Sequence, residues 1–237
     1  MTEVDSGAPA PMPSPSPSPS PSTEASRRPG WGARAGSWAR RALRVELGIY
    51  AAIGRAVARR PAVPRGAGGF RYDSPVRTIL IVFIVLSAVE IPIIDLIVHP
   101  WPAVRIPLLV LGIWGLTWMI GLLCAYRMRP HTVGPRGIRV REGIEIDIDL
   151  PWEVVASVAR APRTDEPKSP RVDGPEGARV LALRMQDATN VEIALEAPTA
   201  VRLPGLAPRG GAHAVTTVRL WVDDVDGFLA AVRHHIP

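Results

Sequence analysis

Residues 78–98 read TILIVFIVLSAVEIPIIDLIV and residues 106–126 read IPLLVLGIWGLTWMIGLLCAY, two apolar runs of 21 residues with seven between them. As a helix at 1.5 Å per residue each run is about 31 Å long, against about 30 Å for the hydrocarbon core of a bilayer. The first run carries Glu90 and Asp95, so its insertion has to be weighed. Its fifteen Ile, Leu, Val and Phe residues contribute roughly −5 to −9 kcal/mol on an insertion scale that sets about +3 kcal/mol against a central carboxyl. The second run has no charged residue, and Pro107 falls in its first turn, where a missing N–H does no harm. Both are expected to cross a membrane as a helical hairpin, with residues 99–105 as a short external loop.

Charge is divided along the chain in a matching way. The 237 residues include 28 basic and 22 acidic side chains, a net +6 that invites a nucleic-acid reading. Residues 1–130 hold a net +8, however, and residues 131–237 a net −2. Twelve arginines from Arg27 to Arg77 precede the first run and only Arg105 lies between the runs; Arg127, Arg129, Arg136, Arg139 and Arg141 follow the second. Arginine is retained on the cytoplasmic side. The expected topology is therefore multi-pass in the cell inner (plasma) membrane, with both termini cytoplasmic. Orientation accounts for the arginines, and no nucleic-acid partner is expected. The single cysteine, Cys124, excludes a disulfide scaffold and any cysteine-rich metal site.

Residues 1–36 read as a disordered Pro/Ser-rich cytoplasmic tail, since the Pro-Ser repeat over residues 13–22 cannot bury a core. Residues 37–60 read as a basic amphipathic juxtamembrane helix capped by Ser37. Leu43, Leu47, Tyr50, Ile53 and Val57 share one face at three- and four-residue steps, and Arg41, Arg44, Arg55 and Arg59 fall roughly opposite. Two placements stay open. The apolar stripe could lie in the lipid boundary with the arginines on anionic head groups, or the helix could pack on the C-terminal domain.

An acid at mid-span depth is costly, which makes Glu90 a candidate functional group. Counted from the outer end, its depth matches residues 114–117 of the returning helix, where the Trp114 indole and the Thr117 hydroxyl are candidate donors. Gly112 and Gly115 would let the helices approach closely. A structural hydrogen bond and a proton or ion relay are both compatible with this pattern. Asp95, near the outer end, is expected to pair with Arg105 or His99.

From His131 onward the apolar period changes to two. Ile138 and Val140 alternate with Arg139 and Arg141, and Ile146 and Ile148 alternate with Asp147 and Asp149. A loop over residues 142–144 would set Arg141 opposite Glu145, Arg139 opposite Asp147, Val140 opposite Ile146 and Ile138 opposite Ile148. Further strands are expected over 153–160, 178–185, 190–195, 199–203 and 214–222, with loops over 162–177 and 204–211. A terminal helix over 225–235 should be capped by Asp223 or Asp224. The reading is an α+β membrane protein, a transmembrane hairpin followed by many antiparallel strands and one helix.

That order, with Pro130-His131-Thr132-Val133, Gly137-Ile138-Arg139-Val140 and Ile148-Asp149-Leu150-Pro151-Trp152, resembles the bacterial PH-like domains. It is similar to their membrane-anchored form, the low molecular weight protein antigen 6 type of small proteins from high-GC Gram-positive bacteria. The resemblance covers about residues 75–237. It implies that residues 131–237 form a cytoplasmic PH-like domain, a strongly bent antiparallel β-sandwich or barrel closed by the C-terminal helix. Eukaryotic PH relatives hold phosphoinositides on a basic loop, whereas this domain nets −2 and has no dense Lys/Arg loop.

The chain has no phosphate-cradling glycine loop, metal-ligand spacing or nucleophile motif. Asp223, Asp224 and Asp226 suit a helix N-terminus. No enzyme activity, metal or cofactor is expected. The expected function is that of an integral membrane protein presenting its PH-like domain as a protein-interaction or scaffold module. Its partners would be anionic lipid and a membrane or cytoplasmic protein, or a second copy in a homo-oligomer. The alternative is a small subunit of a proton-linked or transport complex that uses Glu90.

Overall fold

The structure, a computed structural model, describes residues 31–235 except 167, 169, 176 and 206–209; the Pro-Ser repeat lies outside them. The chain divides into two compact units, Met1–Trp38 and Ala39–Pro237. Helix α1, Trp31–Val57, opens in the first, and all contacts below belong to the second. Ser37 lies inside α1 rather than ahead of it, and the helix stops short of residue 60. The Arg60 N–H donates to the Arg55 carbonyl (3.0 Å) and the Arg59 N–H to that of Ala56 (3.1 Å), with Arg59 in the left-handed region at φ +51°. This pair of backward bonds closes a helix, and Pro61 prevents its resumption.

The chain does not pass directly into the first apolar helix. The Ala62 N–H bonds to the Met128 carbonyl (2.8 Å). Strand β1, Gly68–Phe70, then pairs antiparallel with β2, His131–Gly134. Three residues with two glycines give no periodic signal, so this edge strand was illegible in the sequence. Helices α2, Ser74–Ile97, and α3, Pro102–Met128, follow with mean hydropathies of 2.6 and 2.1. Each is long and apolar enough to cross a membrane.

Strands β3, Gly137–Glu142, and β4, Ile146–Pro151, complete the first sheet in the order β1-β2-β3-β4. The hairpin forms, but its register is two residues from the expected one. Arg141 faces Asp147, Arg139 faces Asp149, Val140 faces Ile148 and Ile138 faces Leu150. A shift of two preserves the faces, so alternation cannot detect it. The turn decides: Gly143 supplies φ +55° and its N–H donates to the Tyr72 hydroxyl (2.9 Å), moving the loop to residues 143–145.

A short 3-10 turn, Trp152–Val154, leads to β5, Val155–Arg163, β6, Arg171–Asp173, β7, Val180–Leu183, β8, Thr189–Leu203, and β9, Gly211–Leu220. They form a second sheet in the order β5-β8-β9-β7-β6. Two expected strands are the single β8, which crosses Pro198 by a register shift between Ala194 and Thr199. The expectation of antiparallel strands throughout fails at β7, which pairs parallel with β9. A tight turn with Gln186 at φ +60° reverses the chain from β7 into β8, and β9 runs antiparallel to β8. β7 and β9 therefore both run opposite to β8 and parallel to each other, and β7 occupies the edge of β9 that β8 leaves open. The two sheets do not close into a barrel.

Ile138, Val140 and Leu150 of the first sheet pack against Val191, Ile193, Val218 and Leu220 of the second, in one apolar core. Helix α4, Val225–Arg233, inserts Phe228 and Val232 into it, and Phe228 meets Phe70 edge-on at 5.2 Å. The Asp224 side chain accepts from the Gly227 N–H (2.9 Å) and is the cap of α4.

Where the helices meet the domain, His131 is fully enclosed. Its Nδ1 accepts from the Arg141 N–H (3.0 Å), so its Nε2–H donates to the Trp221 carbonyl (3.1 Å). The Tyr72 ring lies against it at 4.6 Å. Burial pushes the imidazole down, the Trp221 carbonyl partly opposes this and the Arg141 charge adds to it, leaving a pKa of about 4. A folded-state pKa depressed below the unfolded value means that the unfolded chain binds the extra proton first. Stability is complete above about pH 6.5 and is lost as pH falls toward 4, by up to about 3 kcal/mol. Thermal unfolding across this window should show that slope in the native chain, and His131→Gln, which keeps a donor and an acceptor, should flatten it.

Candidate interaction site

The sequence directs attention to the polar residues of the long helices, and the structure sorts them. Asp95 and Arg105 form a two-bond ion pair (Nε to Oδ1 2.7 Å, Nη2 to Oδ2 2.9 Å), so Arg105 rather than His99 is the partner. Glu90 is exposed beside a groove of about 410 Å³ between α2 and α3. Neither expected donor reaches it. The Thr117 hydroxyl donates to the Ile113 carbonyl of its own helix (2.8 Å). The Trp114 indole donates to Glu46 of α1 (3.0 Å), and the Tyr50 hydroxyl joins it on the same oxygen (2.9 Å).

Direction around the helix accounts for this. At 3.6 residues per turn, Trp114 points about 160° away from Gly112. Gly112 lies close to α2, where a β-carbon would stand 3.0 Å from Ile91, while Gly115 has open space beside it. Trp114 belongs instead to the stripe with Gly121 and Ala125, both buried. Lacking a side chain, Gly121 lets α1 cross closely: a β-carbon there would come within 3.3 Å of both Cβ and the carbonyl oxygen of Ile49.

The basic residues of α1 divide too. Arg41 makes a two-bond ion pair with Glu145 at the β3–β4 loop (2.6 and 2.8 Å). That hydrogen bond raises the guanidinium above its ordinary pKa against the opposing effect of burial. Arg41 is thus spent on the domain, and Ile49 and Ala52 are buried on the same side. Arg44, Arg55 and Arg59 remain exposed. So do Leu43 and Leu47, at 61% each, and Val57 at 80%. The helix therefore has two working faces where the sequence suggested a choice. One docks on α3 and the hairpin, and the other leaves an apolar stripe beside arginines.

Behind Arg41, three more arginines converge on Asp147: Arg129 (3.1 Å), Arg139 (2.5 Å) and Arg141 (3.4 Å). Burial pushes the Asp147 carboxyl up, but the Arg139 hydrogen bond and the charges of Arg141, Arg139 and Arg129 outweigh it and hold the group below the usual range. Arg141 also donates to the Ala62 carbonyl (2.5 Å), tying the segment ahead of α2 to the hairpin.

Asp73, the residue before α2, is buried but does not cap it; Arg71 holds one of its oxygens (3.1 Å). The cap comes from Asp223, which accepts from the Ser74 hydroxyl (2.6 Å) and N–H (3.2 Å). Trp221 Nε1 donates to the same carboxylate (3.1 Å), and Gln186 donates to the Pro75 carbonyl (2.9 Å). Sequence spacing offers Asp223 or Asp224 as the cap of α4 and has no means of joining Asp223 to residue 74. Among the described residues no group of three or more His, Cys, Asp or Glu side chains could hold a metal ion.

Comparison with protein-family models, curated proteins and solved structures finds no match to this chain.

The docking of α1 is open to a direct test. With Cys124→Ser as background, Ile49→Cys and Gly121→Cys would place their β-carbons near the separation a disulfide uses, about 3.5–4.5 Å. Mild oxidation should form the cross-link in most of the protein, read by loss of maleimide labelling. A pair that stays fully labelled would mean that α1 does not rest on α3.

Proposed function

We propose that α2 and α3 cross the cytoplasmic membrane, that both termini are cytoplasmic, and that the β domain is a PH-like interaction or scaffold module held against the inner face. One observation carries this reading. The domain is bonded to the start of α2 and to the end of α3, through Asp223 to Ser74, Gly143 to Tyr72 and Asp147 to Arg129. Domain and helices then move as one body, which is what a platform requires and a flexible tether would not provide.

The arginine distribution supports the orientation. The exposed Leu43, Leu47 and Val57 stripe, flanked by Arg44 and Arg55, suits the boundary of an anionic leaflet. Arg59 can join them there, whereas Arg41 is engaged by Glu145. The two-sheet core with a helix inserted from its end favours the PH-like relationship; the parallel β7–β9 pair is its departure.

The transport reading rests on Glu90, which bonds to no described residue and lines an open groove. Two helices cannot enclose a pathway, so such a role would need further subunits. Native co-purification from mild detergent should recover a partner protein, and Glu90→Gln should leave that recovery unchanged. Loss of a proton-linked activity in Glu90→Gln, with the partner still bound, would sink the scaffold reading. A reporter active only outside the cytoplasm should be silent when fused after Pro237; activity there would reverse the topology.

A further inference from the structure

The face of the first sheet turned away from the core carries a second feature. Thr132, Arg139 and Asp149 stand abreast across β2, β3 and β4, followed by Gly134, Gly137 and Pro151. The segment before β1 folds over this row, with Ala67 so close to Gly134 that a β-carbon there would lie 2.8 Å from its own. Between them is a half-open cleft of about 460 Å³.

Arg65 and Arg136 stand on this cleft, both exposed and neither bonded to any described residue. Arg139 at its inner end is committed to Asp147 and Asp149. Arg136 belongs to a domain that nets −2, and with Arg65 brought in from the segment ahead of α2 the two guanidinium groups make the cleft locally positive. Pro64, Pro135 and Pro151 give it stiff apolar walls, while Thr132 and Asp149, whose charge is answered by Arg139, complete the lining. A free phosphate gains nothing from such walls, whereas an extended peptide gains contact along them. Guanidinium forks match carboxylates in two-bond geometry. The Gly134–Gly137 turn also lies at the end of β2 remote from α3, roughly 10 Å beyond His131 at 3.3 Å per residue. The cleft thus lies at the end of the first sheet farther from α3.

We propose that this cleft binds an acidic peptide segment of a partner protein, with carboxylates on Arg65 and Arg136 and its chain between the prolines. The inference rests on the reading of the domain as an interaction module and names the surface that performs it.

The test uses the full chain in nanodiscs of uncharged lipid and a rhodamine-labelled peptide of alternating glutamate and leucine, followed by anisotropy. Arg65→Glu with Arg136→Glu should weaken binding by about tenfold or more, the loss expected for two charge-assisted contacts. Arg202→Glu, an exposed arginine on β8, should leave it within about twofold. Because both cleft arginines are exposed and unbonded, the double variant should keep the native unfolding temperature. Equal binding by the native chain and the double variant would overturn the proposal. Displacement of the peptide by an equal concentration of inositol hexakisphosphate would also overturn it and identify a phosphate site. If co-purification still recovers a partner while the peptide fails, this inference falls alone; if no partner is recovered, the module reading falls with it.

Discussion

The carboxylate of Asp223 caps a helix whose first residue lies 149 positions earlier in the chain. A helix start leaves backbone donors that must be satisfied, and the local candidate, Asp73, is turned toward Arg71. The end of the β domain therefore completes the beginning of α2. Hydrogen bonds to a charged acceptor contribute about 1.5–3 kcal/mol, and here they also fix geometry. Residues 62–73 are drawn into the domain around β1, Tyr72 is brought onto His131 and Gly143, and the start of α2 is set beside the end of α3.

That constraint determines what α1 can do. Because the Ala62 N–H is bonded to Met128, the end of α1 is held at the foot of α3. The helix must then run along the face of α3 formed by Trp114, Gly121 and Ala125. Glu46, an acid that a purely basic amphipathic helix does not require, becomes the acceptor for two aromatic donors. Arg41 leaves the set of exposed cations and becomes a strut to Glu145. Charge on this helix is divided between holding the fold and facing outward, and amphipathic periodicity reports only their sum.

The limits of sequence reading follow from the same physics. Alternation in 138–150 identified the hairpin and its faces, but a shift of two leaves every face unchanged, so the register rested on Gly143 and Tyr72. Strands β1 and β6 are three residues each, too short for a period to declare itself, and exist because a neighbour offers an edge. Rise per residue is a local property, so counting along the chain can set Glu90 and Trp114 at one expected depth. They do not meet because direction around a helix matters only relative to its neighbours. Arg65 and Arg136 were invisible as a pair, since 71 positions and two long helices separate them.

By itself the sequence determined what depends on composition and short-range period. This includes two helices apolar and long enough to cross a membrane, a domain of alternating strands after them, and a terminal helix with an acidic cap. These follow from transfer energies and from the 3.6- and 2-residue repeats, which need no knowledge of partners. Only the tertiary structure decided which acid caps α2, which carboxylate holds Trp114, how β7 runs against β9, and where uncommitted arginines gather. Each is a pairing between groups far apart in the chain, and the energy of such a pairing depends on distance and direction in space. The opening runs TILIVFIVLSAVEIPIIDLIV and IPLLVLGIWGLTWMIGLLCAY thus specify two helices, while the domain folded around their ends specifies how they are joined.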